Sequence, residues 1–100
     1  MEQTNDQVLF MQLVIQNQQI ALMSLGKMKN PLTDKSEINL EYAKLSIDTL
    51  DMLLNKTKGN LSDYEEKFLT EVIKELKLGY VEELGKEQNE NEMKQSPDKS

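Results

Sequence analysis

Apolar residues recur every three or four positions in three stretches of the chain, which is the spacing of a helix that buries one face. The pattern predicts helices over residues 7–25, over a stretch that begins between 34 and 39 and ends before Gly59, and over residues 62–84. Pro31 interrupts the pattern in the first connection, because proline cannot continue a helix. The sequence therefore predicts an all-α fold: a helical hairpin plus a further helix.

Local signals set the predicted boundaries. Asp6 is a plausible N-cap for the first helix, and Gly26 is placed to close it. Residues 1–5 are expected to be frayed, and residues 6–84 to form the three-helix domain. From Gly85 the chain is almost entirely polar, so we predict a disordered tail over residues 85–100.

The second connection carries the densest set of helix signals. Gly59 follows the second helix and can adopt positive φ, while Ser62 and Glu65 have the spacing of a capping box that starts the third helix. We interpret the segment as a structural turn. An anion site beside Lys56 and Lys58 is the alternative, although acidic residues in the next turn would repel an anion. The residues of this predicted turn are Lys56, Thr57, Lys58, Gly59, Asn60, Ser62 and Glu65.

The first two helices are apolar over more of their circumference than one packing partner requires. At 100° per residue, the first helix has only one narrow polar stripe, which consists of Gln12, Gln16 and Gln19. The stripe either faces solvent or forms hydrogen bonds along a helix seam. We expect further copies to cover the surplus apolar faces in an oligomeric helical bundle. The predicted interface residues are Phe10, Met11, Leu13, Val14, Ile15, Ile20, Leu22, Leu45, Met52 and Leu53, and the predicted core residues are Leu13, Val14, Ile47, Leu50, Leu54, Phe68, Val72 and Leu76.

Composition narrows the possible chemistry. The chain has no histidine, cysteine or arginine, which removes the common nucleophile–base pairs, thiolate metal sites and bidentate phosphate recognition. The net charge of -6 argues against nucleic-acid binding. Asp48 and Asp51 are too few for a hard-cation site, so we expect no metal and no cofactor. With no signal peptide and no 18-residue apolar run visible, we expect a cytoplasmic protein that does not insert into a membrane.

Several blocks of the sequence resemble a small bacterial family, the domain of unknown function 1844. The blocks include Ala21-Leu-Met-Ser-Leu-Gly26, Asn30-Pro31 and Lys56-Thr-Lys-Gly-Asn-Leu61, and the resemblance ends near Tyr80-Val81. This chain has Lys77-Leu78 where such proteins typically carry Leu-Arg. The resemblance implies a compact helical domain of bacterial origin and no known activity, so it assigns no catalytic residue.

Three hypotheses for function follow. The first is a non-enzymatic, self-associating structural or interaction module, and it explains the wide apolar faces. The second is an adaptor whose apolar groove binds a helix of another protein. The third is an enzyme that uses carboxylate and lysine chemistry; nothing in the sequence gathers those groups into one cleft.

Overall fold

The structure, a computed structural model, describes residues 5–95 and consists there of three helices. They are α1 (Asn5–Ser24), α2 (Leu40–Lys56) and α3 (Asp63–Gln95). The all-α, three-helix fold is therefore confirmed. Residues 1–4 and 96–100, which belong to the predicted frayed start and disordered tail, lie outside the described residues.

The end of α1 is closed as predicted. Gly26 has φ +77°, its N–H donates to the carbonyl of Met23 at 3.0 Å, and the N–H of Lys27 donates to Leu22 at 2.9 Å. This is the Schellman motif, which needs a residue in the left-handed region and so favours glycine. The predicted N-cap at Asp6 is wrong: Asp6 lies within the first turn of α1. The positive end of the helix dipole stabilises a carboxylate in the first turn as well, so an aspartate alone does not distinguish the N-cap from the first turn.

The loop after α1 turns the chain back so that α2 runs antiparallel to α1. The N–H of Asn39 donates to the carbonyl of Ser24 at 2.8 Å, and Leu25 and Ile38 form an antiparallel bridge. Asn39 is also the N-cap of α2, since its side chain accepts a hydrogen bond from the N–H of Tyr42 at 3.0 Å. The sequence predicts a start between residues 34 and 39, and the N-cap lies at the last of these positions.

The third helix is longer than predicted. It continues past residue 84 to Gln95, so residues 85–95, predicted as part of a disordered tail, are helical in the structure. Extending an existing helix costs no new nucleus, and glutamate, lysine and glutamine have good helix propensity. Lys86 adds an ion pair to Glu83, with a nitrogen–oxygen distance of 3.1 Å.

The core lies where the three helices meet, with α2 packed against both neighbours. Leu50 and Leu69 are fully buried at its centre. Of the predicted core, Leu54 and Phe68 are only partly buried. Leu13 is 42 % exposed and does not belong to the core. The other predicted core residues are buried: Val14, Ile47, Leu50, Val72 and Leu76.

Replacing Leu50 by alanine should lower the free energy of unfolding by about 2–5 kcal/mol, because a fully buried side chain leaves a cavity that the helices only partly refill. Denaturant unfolding followed by circular dichroism measures the loss. Leu78→Ala is the matched control, since Leu78 is 62 % exposed and its truncation should cost far less. Equal midpoints for the two variants would contradict the placement of Leu50 in the core.

Candidate interaction surface

The predicted interface residues do not lie on one surface. Val14 is fully buried in the chain's own core, so it is unavailable to a partner, and this part of the prediction is wrong. Phe10, Leu22 and Leu53 are partly buried against the same core. Because α1 is apolar nearly all round, a helical wheel alone does not show which of its sides faces inward.

One group of exposed residues forms a continuous surface across α1 and α2. Ile20 of α1 and Tyr42 of α2 line the same cavity, which places these two sides of the helices next to each other. Residues three, four or seven positions apart lie on the same side of a helix, so further residues of α1 share the side of Ile20 and further residues of α2 share the side of Tyr42. We call this surface the α1–α2 face: Leu9, Leu13, Ile20, Tyr42, Leu45 and Met52.

The α1–α2 face contains two residues that were not predicted to be at the interface. Leu9 and Tyr42 are both about half exposed, at 54 % and 51 %. The signal was present in the sequence, because Leu9 lies four positions before Leu13 and Tyr42 lies three before Leu45.

The remaining predicted interface residues lie on the opposite side of α1. Leu22 lines a cavity together with Val72 and Gly79 of α3. Ile15 and Met11 share its side of α1 by helical spacing. This side is a groove between two helices of the same chain, whereas the α1–α2 face points away from α3.

The surface of α1 carries no charge after its first turn. Residues 7–26 contain no charged side chain, although 30 % of the chain is charged. The outward side of α1 therefore presents only amides and apolar groups, a composition typical of the centre of a protein interface and unusual for a solvated helix.

The turn between α2 and α3 is held by its own hydrogen bonds. The N–H of Ser62 donates to the Glu65 carboxylate at 2.9 Å, and the N–H of Glu65 donates to the Ser62 hydroxyl at 3.1 Å. Thr57 caps α2 by donating from its backbone and its hydroxyl to the carbonyl of Leu53. Gly59 has φ +88°. The carboxylate of Glu65 is buried against this helix start, where an anion would otherwise bind, so the geometry is that of a structural turn.

The paired carboxylates of α2 are each engaged by a lysine. Lys44 lies 2.7 Å from Asp48, and Lys77 of α3 lies 3.0 Å from Asp51. The hydrogen bond and charge of Asp48 raise the pKa of Lys44 above its ordinary value. The first pair stays on one helix, and the second links α2 to α3.

Residues 5–95 lack both a cluster of metal-ligating side chains and a membrane-spanning helix. No group of three or more acidic, histidine or cysteine side chains is arranged to hold a metal ion in this part of the chain. No helix in it has the length and apolar character needed to cross a membrane.

Together these features define a small three-helix protein whose conspicuous surface is apolar and uncharged. The chain belongs to the family described as Domain of unknown function (DUF1844), whose match covers residues 7–82. The match includes α1 from its third residue, all of α2, both connections and the first 20 of the 33 residues of α3. Neither the curated proteins nor the solved structures contain a match to the chain.

Replacing Glu65 by alanine should cost about 0.5–2 kcal/mol of stability, because the capping box loses its acceptor for the Ser62 N–H. Thermal unfolding by circular dichroism measures the effect. Glu66→Ala is the matched control: the residue is acidic, in the same turn and exposed, so its loss should stay within about 0.5 kcal/mol. A larger loss at Glu66 than at Glu65 would contradict a structural role for the capping box.

Proposed function

We propose that the protein is a non-enzymatic structural or interaction module that assembles with copies of itself through the α1–α2 face. One observation carries the proposal: five large apolar side chains of the α1–α2 face are 42–60 % exposed, and Ile20 beside them is partly exposed. Soluble proteins seldom expose contiguous apolar patches of this kind unless the patch binds something.

The distribution of charge supports self-association at this face. Each copy carries a net charge of -6, so two copies repel one another over most of their surface. From residue 7 onward α1 is uncharged, so its surface offers the approach with the least repulsion. A partner chosen by charge would instead call for a patch of one sign; the six residues of the α1–α2 face are uncharged, and the charged residues at its loop end, Lys35 and Glu37, have opposite signs.

The groove between α1 and α3 supports the adaptor alternative. Leu22, Leu25, Val72 and Leu76 line it, and Gly79 leaves room on the α3 side. This groove is narrow and already filled in part by the stem of Lys27, which approaches within 3.1 Å of the position of a Cβ at Gly79. The α1–α2 face carries five side chains that are 42–60 % exposed, so self-association is the better-supported function.

The arrangement of the polar side chains gives less support to an enzymatic function than to a binding function. Lys44, Asp48, Lys77 and Asp51 are exposed ion pairs on a convex helix surface, and no cleft brings them to one substrate-sized space. We therefore propose a role in binding and assembly.

Light scattering coupled to size exclusion should give a constant dimer or higher mass for the intact chain over a wide range of loading concentrations. Leu45→Glu should shift that mass to the monomer, because it places a charge in the centre of an apolar contact. Leu78→Glu is the matched control, since Leu45 and Leu78 are both leucines on helices and are 60 % and 62 % exposed, but Leu78 lies on α3.

The control variant should keep the mass of the unsubstituted chain, and both variants should keep its helical circular dichroism. A monomer at all concentrations would overturn self-association. An unchanged mass for Leu45→Glu would exclude the α1–α2 face and point to another surface.

A further inference from the structure

The six residues of the α1–α2 face belong to two longer rows, one on each helix, that have the spacing of a coiled-coil seam. Successive positions in each row alternate between three and four residues apart, as the a and d positions of a heptad do. The α1 row is Leu9, Leu13, Gln16, Ile20 and Met23, and the α2 row is Tyr42, Leu45, Thr49, Met52 and Lys56.

Each row is spaced nearly evenly about a centre, apart from Lys56, which has no counterpart in α2. In the α1 row, Gln16 is central, Leu9 and Met23 are equally far from it, and Leu13 and Ile20 flank it. In the α2 row, Tyr42 and Met52 are equally far from residue 47, and so are Leu45 and Thr49. Rows of this kind pair with a second copy of themselves in the antiparallel sense.

The two centres lie at the same height along the hairpin. Ser24 is hydrogen-bonded to Asn39, and Leu25 bridges to Ile38, which fixes the antiparallel register of α1 and α2 at the loop. Counting back equally along both helices from these pairs brings Gln16 level with Ile47. One axis perpendicular to the two helices therefore passes through the centre of both rows.

We propose that the occupant of the α1–α2 face is a second copy related by a two-fold axis at the level of Gln16 and Ile47, with α1 antiparallel to α1 of the partner subunit and α2 antiparallel to α2 of the partner subunit. The proposal rests on self-association as the proposed function and names its geometry. A two-fold contact uses the same surface on both subunits, as this pair of symmetric rows requires.

The polar members of the rows fit this arrangement. Gln16 faces Gln16 of the partner subunit, and a primary amide is both donor and acceptor, so the two satisfy each other. Thr49 faces the partner's Leu45 at no cost to its hydroxyl, which already donates to the carbonyl of its own Leu45 at 2.8 Å. Leu9 lies level with the partner's Met23, and Leu13 lies within one residue of the level of the partner's Ile20.

The ends of α1 favour the antiparallel sense. Asp6 lies in the first turn, while exposed Lys27 and Lys29 follow the last. Antiparallel pairing brings these opposite charges to the same end of the seam and aligns the two helix dipoles favourably, whereas parallel pairing sets Asp6 beside the partner's Asp6. Stacking α1 on α2 of the partner subunit would instead place Gln16 level with the partner's Ile47, between the partner's Leu45 and the partner's Thr49, and would leave it without a second primary amide.

The available area matches a stable dimer. Two adjacent helices, each about 10 Å wide and about 30 Å long, present about 600 Å² in projection, and accessible area exceeds projected area. A standard interface buries about 800 Å² per partner, which is about a tenth of the chain's 7618 Å².

Cysteine cross-linking tests the geometry directly, because the chain contains no cysteine. Gln16→Cys should form a disulfide-linked dimer under mild oxidation at least about tenfold faster than Asn55→Cys, an exposed position about 100° around α2 from the row. Leu9→Cys and Met23→Cys should each fail to link to themselves, since the equivalent residues lie about 21 Å apart. The two variants refolded together should link to one another.

The outcomes separate this geometry from the others and from self-association itself. Self-linking at all three positions would show parallel pairing, and linking of Gln16→Cys only to a Leu45→Cys or Thr49→Cys variant would show α1 on α2 of the partner subunit. Either result, or an oligomer in which Gln16→Cys links no faster than Asn55→Cys, overturns the proposed axis while self-association stands. A monomeric mass for the unsubstituted chain overturns both.

Discussion

The structure depends on covering α1, a helix that is apolar around most of its circumference in a domain with only two other helices. Val14 and Ala21 reach the core and are fully buried. The geometry of a helix then forces residues about 100° away on either side, such as Leu13 and Ile15, toward the surface. With α2 on one side and α3 on the other, the chain covers the inner half of α1 and leaves the outer half to water or to a partner.

The second helix, α2, is covered on two sides, because it packs against both α1 and α3. Ala43 and Ser46 are small and buried, which lets α1 approach closely, while Ile47 and Leu50 fill the space toward the centre. Its polar stripe is anchored to α3 by the ion pair of Asp51 with Lys77, an exposed contact that orients more than it stabilises. Consequently the free apolar row of α2 lies beside that of α1.

Features set by a few neighbouring residues were predictable from the sequence. Gly26 and the pair of Ser62 and Glu65 act through local backbone geometry, and their roles follow from type and spacing. The division of α1 into inner and outer sides was not predictable, since Leu13 and Val14 are equally apolar and only packing distinguishes them. The end of α3 was missed because polar composition suggests disorder, whereas helix already formed by packing propagates into polar residues at little cost.

The separation of charged from apolar residues that leaves the α1–α2 face exposed also limits which proteins approach that face. Every charged residue of the chain lies outside residues 7–26, so the acidic surfaces of α2, α3 and the loops repel like-charged proteins from most directions. Repulsion of this kind opposes indiscriminate aggregation through the exposed leucines. An encounter that brings two uncharged α1 surfaces together avoids it, and Gln16 in the middle of an otherwise apolar row penalises any register that leaves its amide unpaired. In the proposed dimer the leucines would supply the affinity, and Gln16 would select the geometry.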